Sequence, residues 1–143
     1  MKRNRMEIKF DAKSENESFA RVAVAAFLAE LNPTLDEIAD IKTAVSEAVT
    51  NAIIHGYKDE ENQVQLYCNV QGHQVEIIVV DEGIGIEDIE KAKEPFFTTK
   101  PELERSGMGF AFMEAFMDEL EVYSKPGNGT KIIMRKNIGI QEG

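Results

Sequence analysis

Three short patterns in the sequence carry side chains able to accept protons, ligate hard cations or hold phosphate. Glu47, Asn51 and His55 follow one another at four-residue steps, so on a helix they share one face. A carboxylate there can take a proton or orient a nucleophile, and an amide oxygen beside it can ligate a hard cation. A solvated polar face has the same spacing, and His55 reads as a helix-end residue whose ring serves the last carbonyls. Asp81-Glu82-Gly83-Ile84-Gly85 follows a β-branched run. It is either a tight turn or a place where Asp81 accepts a hydrogen bond from a ligand amine, with Gly83 and Gly85 letting the backbone approach a flat ring. Gly107 and Gly109 precede a helical segment near Phe110. Unpaired N–H groups and the positive end of a helix dipole suit an anion there, and a hinge is the alternative. Lys100 and Arg105 flank this pair as candidates for phosphate contacts, with solvated charge the cheaper account. Phe96 and Phe97 read as core or lid packing.

The elements that must position these residues are legible from periodicity. Met6 to Ala12 alternates as a strand, with Met6, Ile8 and Phe10 on one face. Ser14 and Glu17 have capping-box spacing and open a helix whose expected apolar stripe is Phe19, Val22, Ala23, Ala26 and Phe27. Asn32-Pro33 stops it. Thr34 and Glu37 repeat the box and open a second helix to about His55, with Ile38, Ile41, Val45, Ala48 and Ala52 inward and Gly56 as the stop. Val64 to Val70 alternates, Gln71-Gly72-His73 turns, and Val75 to Val80 reads as a central strand buried on both faces apart from Glu76 near its start. A glycine-bounded stretch, about 86–109, reads as a functional loop or lid. A helix from Phe110 to Asp118 and a hairpin of Leu120–Tyr123 and Thr130–Arg135 complete an α+β fold, one sheet with helices on one face.

Composition narrows the function classes. The chain has 143 residues, with 43% hydrophobic and 29% charged, which suits a single globular domain over 1–143. Sixteen Lys and Arg against 26 Asp and Glu leave a net charge of −10. That argues against a nucleic-acid binder that works by covering phosphates. The one cysteine, Cys68, can form no internal disulfide and sits among alternating apolar residues, so a buried thiol in a reducing compartment is expected. No run reaches the ~20 apolar residues of a membrane span, and none of signal-peptide length follows the basic start. The expectation is a soluble cytoplasmic protein with no membrane and no direct nucleic-acid partner.

The order of the motifs is more specific than any one of them. There is no G-x-x-x-x-G-K-[ST], no H-R-D and no D-F-G. From about Phe10 to Met134 the chain resembles the nucleotide-binding domain shared by gyrase, a heat-shock chaperone, sensor histidine kinases and the MutL mismatch-repair protein. Glu47 to Asn51 is similar to that superfamily's N box, and the two glycine segments to its glycine boxes. The strings around Ser14–Arg21, Val45–Tyr57 and Phe97–Phe110 resemble the anti-sigma F family of spore-forming bacilli. The resemblance implies a histidine-kinase-like ATPase domain (the Bergerat fold), a two-layer sandwich with a mixed, mostly antiparallel sheet.

It further implies a homodimeric serine kinase that binds ATP or ADP with Mg2+. Such a protein phosphorylates an anti-anti-sigma factor and inhibits the sporulation sigma factor F. By the same resemblance Glu47 is the base, Asn51 the magnesium ligand and Asp81 the acceptor of the adenine amine. Gly83 and Gly85 shape the base pocket. Ser106, Gly107, Met108 and Gly109 hold phosphates with Lys100 and Arg105, Arg105 standing at the catalytic centre. Thr130 supports the adenine end, and Arg21 faces both protein partners. The residues after Lys136 do not resemble the family's tail. An anti-sigma-B-type stress kinase, a nucleotide-gated binding module without transfer, and a stand-alone ATP hydrolase remain alternatives.

Overall fold

The alternation expected from Met6 to Ala12 falls in strand β1 (Arg3–Asp11), which begins ahead of Met6 and turns Met6, Ile8 and Phe10 toward the core. The computed structural model describes residues 3–56, 62–83, 89, 93, 109–124 and 127–139. Helix α1 (Asn16–Leu28) follows. Its inward residues are Ala20, Val24 and Leu28, while Phe19 and Val22 are 55% and 59% exposed, so the expected stripe is displaced. Arg21 is the sole polar residue between Phe19 and Ala29, so periodicity alone allows two stripes, and packing against β1 and the second helix selects one. The expected Ser14–Glu17 capping box does not form. Glu15 is the N-cap, no side chain caps the helix, and Glu17 accepts a hydrogen bond from the Ser46 hydroxyl at 2.5 Å instead.

A 3₁₀ turn, Ala29–Leu31, ends at Asn32 with a left-handed φ of 52°. Helix α2 (Leu35–Asn51) then starts at a complete capping box. Glu37 N–H donates to Thr34 Oγ1 at 3.0 Å, and Thr34 N–H donates to Glu37 Oε1 at 2.8 Å. Its buried stripe of Ile41, Val45 and Ala48 is the expected one, widened by Ala44 and Val49. The helix was expected to run to His55. It changes after Asn51 into a π-helical turn, Ala52–Gly56, a wider winding that frequently accompanies functional sites.

Strands β2 (Gln63–Gln71) and β3 (Gln74–Asp81) meet at a tight turn in which Gly72 takes a φ of 62°. Val75, Ile77 and Val79 are buried, but Ile78 and Val80 are only half-buried. The strand is therefore covered on one face, not two. Its β-branched composition reflects strand propensity, which is indifferent to what lies on the second face. Helix α3 (Gly109–Phe116) and the hairpin of β4 (Glu119–Ser124) and β5 (Thr130–Asn137) complete the described chain.

The five strands run in the order β1-β2-β3-β5-β4. The expected mixed, mostly antiparallel sheet is antiparallel at all four pairings. Helix α2 packs against both α1 and α3, and the helices share one core with the inward face of the sheet. Cys68 lies in that core, where burial pushes its thiol up to about 12 and keeps it protonated. After β5, Ile138 is buried and its N–H donates to the His73 carbonyl at 2.8 Å. Gly139 N–H donates to the Glu37 carboxylate at 3.2 Å. Ile138 thus ties the chain to the β2–β3 turn, and Gly139 ties it to the start of α2.

Candidate functional site

Asp81 is the last residue of β3, Thr130 the first of β5 and Ser124 the last of β4. In the sheet register Asp81 is opposite Thr130, and Thr130 is opposite Ser124. Three polar side chains thus line up across neighbouring strands at one end of the sheet. A residue's side is set by the two-residue period of the strand. Asp81 shares the side of Val75, Ile77 and Val79, and Thr130 that of Ile132 and Met134, so both face the helices.

Asp81 and Thr130 are 4% and 5% exposed. A carboxylate so placed is costly, because burial disfavours its charged form. Burial pushes the Asp81 carboxyl up to about 6, opposed by the backbone N–H groups of Gly83 and Thr130. The Gly83 N–H donates to Asp81 Oδ1 at 2.9 Å, which folds the chain back on the carboxylate. Gly129 locks the arrangement from the other side. It has a φ of 81°, and a Cβ there would lie 2.1 Å from the Asp81 carbonyl oxygen. Only glycine permits that approach. The result is a buried acceptor in a fixed orientation, able to take an N–H from a flat, donor-bearing ligand.

Glu47 and Asn51 are half-buried near the end of α2, flanked by the fully buried Ala48. Helix α2 and the π turn pack against β3, the strand that ends at Asp81, and α2 packs against α3, the helix that begins at Gly109. One helix therefore joins the elements that carry the other two motifs. Gly109 is the first residue of α3 rather than the residue before it. Gly85, Lys100, Arg105, Ser106, Gly107 and Met108 lie outside the described residues, as do most of the expected lid and the side chain of His55.

Among the described residues no group of three or more His, Cys, Asp or Glu is arranged to hold a metal. Magnesium in a phosphate site usually takes one or two protein oxygens, with phosphates and water supplying the rest. Asn51 fits that sparse donor set.

Arg21 is half-buried on α1 and reaches toward α2. Its Nη2 donates to Ser18 Oγ at 3.2 Å, and its Nη1 lies 3.5 Å from Ser46 Oγ and 3.7 Å from Glu17 Oε2. Ser46 directly precedes Glu47, so the surface arginine is linked through side chains to the helix turn that carries the candidate base. Sequence reasoning missed Ser46, Glu17 and Ser124 in these roles. Nothing local pairs Glu17 with Ser46. Ser124 was within reach, since a hairpin closed over Lys125–Gly129 sets Ser124 opposite Thr130.

The fold and site define a class of protein. Residues 10–136 match the family model described as a histidine kinase-like ATPase domain, a class that binds ATP or ADP. In fold alone, the chain is similar to the RsbU and RsbW domains of Rv1364c from Mycobacterium tuberculosis. That likeness has a TM-score of 0.69 at 24% identity, over 94% of this chain and 32% of that one. The catalytic domain of the histidine kinase ThkA gives 0.53 at 19% identity, over 93% and 97%. The anti-sigma F factor of Clostridium acetobutylicum is 60% identical over 142 residues, 99% of each chain. That of Clostridium perfringens strain SM101 is 61% identical over 136 residues, 94% of this chain and 97% of the relative. The chain belongs to the anti-sigma F factor family within the histidine kinase-like ATPase class. No helix among the described residues is long and apolar enough to cross a membrane.

Proposed function

We propose that this chain is a cytoplasmic, homodimeric anti-sigma factor that binds sporulation sigma factor F and phosphorylates a serine of an anti-anti-sigma partner. The observation that carries the reading is Asp81, a buried carboxylate held by Gly83 and Thr130 N–H groups, in a chain alike to anti-sigma F factors over nearly its whole length. Asp81 accepts the amine of adenine, with Gly83, Gly85 and Thr130 shaping the base pocket. Asn51 is the protein ligand of Mg2+. Ser106, Gly107, Met108 and Gly109 hold phosphates, with Lys100 and Arg105 supplying positive charge. When bound, MgATP supplies the phosphoryl group and neutralises charge around it.

Glu47 does the remaining chemistry. A serine hydroxyl is a weak nucleophile, and a carboxylate within hydrogen-bond reach would take its proton as the serine oxygen–phosphorus bond forms, the bond from the γ-phosphorus to the bridging oxygen breaks and ADP leaves. Arg21 lies on the face offered to both protein partners. The net charge of −10 suits a sigma factor whose DNA-facing surfaces are basic.

The test is incubation with Mg2+, γ-labelled ATP and an anti-anti-sigma protein. Label on a protein serine is the expected outcome. Free phosphate alone indicates a hydrolase, and neither product indicates a nucleotide-gated binding module. Glu47→Ala is expected to lower transfer by at least about a hundredfold, the usual scale of general-base loss, while leaving ADP affinity within about twofold. Loss of ADP binding in that variant would assign Glu47 a structural role.

A further inference from the structure

Ser124 lies outside all the motifs that mark the site, yet its hydroxyl touches the one residue that faces Asp81 across the sheet. Ser124 Oγ lies 2.9 Å from the Gly129 carbonyl oxygen and 2.8 Å from Thr130 Oγ1. A carbonyl has no proton to give. Two oxygens at 2.9 Å with no proton between them repel, so the Ser124 hydroxyl donates to Gly129. A hydroxyl has one hydrogen, so the contact with Thr130 needs the proton of Thr130. The Thr130 O–H therefore points toward β4, and the rest of its oxygen presents lone pairs.

We propose that Ser124 sets the base specificity of the nucleotide site by fixing the direction of the Thr130 hydroxyl. The inference rests on the reading of Asp81 and Thr130 as the base-contacting pair. An ionised carboxylate accepts and cannot donate, and with its proton held by Ser124 the Thr130 hydroxyl also only accepts. Two acceptors side by side, both nearly buried, match the two N–H donors of a single exocyclic amino group. A 6-oxo purine presents an oxygen at that position, and a buried acceptor facing acceptors is penalised. A freely rotating Thr130 hydroxyl would turn and donate to that oxygen, relaxing the discrimination. Ser124 removes that freedom without touching the nucleotide, which makes it a positioning residue.

The Gly129 backbone cooperates. Its close approach to the Asp81 backbone fixes the carbonyl that takes the Ser124 proton. The polarity of the pair is thus built into the β4–β5 hairpin.

The test compares ADP with inosine diphosphate, which carries the same phosphates and sugar on a 6-oxo purine, by calorimetric titration of the full chain. The unaltered protein is expected to prefer ADP. Ser124→Ala is expected to narrow the ADP-to-inosine-diphosphate affinity ratio about five- to tenfold, the scale of one hydrogen bond. Ser124→Thr, which keeps a hydroxyl on a side chain suited to a strand, restores the original ratio. Ser124→Cys, similar in volume but a weak hydrogen-bond group, narrows it as alanine does and serves if the alanine variant does not fold. An unchanged ratio in Ser124→Ala or Ser124→Cys overturns the proposal while leaving the nucleotide site in place. Binding of neither nucleotide by the unaltered chain overturns the reading of the site, and the inference falls with it.

Discussion

Asp81 is held by two backbone N–H groups, and burial still dominates, raising its carboxyl to about 6 from an ordinary 3.8. Between those values the folded chain keeps a proton that the unfolded chain has lost. Acidification through the window therefore stabilises the nucleotide-free fold, and the penalty for an ionised Asp81 is fully present above about 6. A displacement of about two units corresponds to roughly 3 kcal/mol. Asp81→Asn carries no titrating group at this position. Urea unfolding is expected to show the variant more stable than its parent at pH 7.5. That advantage should shrink by about 1–2 kcal/mol at pH 5, where the parent's carboxyl is mostly protonated. A difference that stays constant between the two pH values would show that Asp81 carries no such penalty. A residue whose replacement stabilises the fold has the ordinary signature of a binding site.

Helix α2 carries Glu47 and Asn51, the proposed base and the proposed metal ligand, so its two ends decide how firmly they are held. Its capping box uses both Thr34 and Glu37, and Glu37 has a second task, accepting from Gly139 N–H. Thr34→Ala is expected to cost about 1 kcal/mol, the usual value of a lost N-cap. Glu37→Ala should cost more, because the tie to the end of the chain goes with it, and urea titration of both variants measures the difference. Equal losses would mean the Gly139 bond contributes nothing. The Thr34 backbone N–H holds the Glu37 carboxyl below the usual carboxylate range, so this contribution is present at neutral pH and fades as pH falls through that lowered value.

The same helix shows why some elements were legible and others not. The Thr34–Glu37 box is complete within four residues, so local spacing is enough. The Ser14–Glu17 spacing is identical, but Glu17 finds a partner 29 positions away in Ser46, and no local rule competes with that. The α1 stripe was misplaced because nearly every residue there is apolar, and the β3 reading because branched side chains do not report what covers them. In the site, Glu47, Asn51, Asp81 and Thr130 stand out by type and order. The part played by Ser124 depends on the direction of one proton between two strands, which only the register and two distances reveal.

At the scale of the whole molecule, an acidic chain of net charge −10 has, on the proposed reading, to hold an anionic nucleotide at one end of a sheet covered on a single face. Its general field opposes the ligand, so affinity has to come from groups aimed locally at the base and phosphates. Stability is also spent at this end of the sheet, on the desolvated Asp81. A ligand amine donating to that carboxylate offsets part of the penalty and adds binding free energy to the folded state alone. At a free ADP concentration of a hundred times Kd the gain is about 2.7 kcal/mol, which for a chain of this size raises Tm by about 5–10 °C. A scan with Mg2+ and ADP is expected to show that rise in the parent protein. Asp81→Asn should start from a higher Tm at pH 7.5 and gain less than about 2 °C at the same ADP concentration, because its affinity is lost. An equal rise in parent and variant would place the base somewhere other than the ends of β3 and β5. A rise in neither would mean that the buried carboxylate serves the fold rather than a nucleotide.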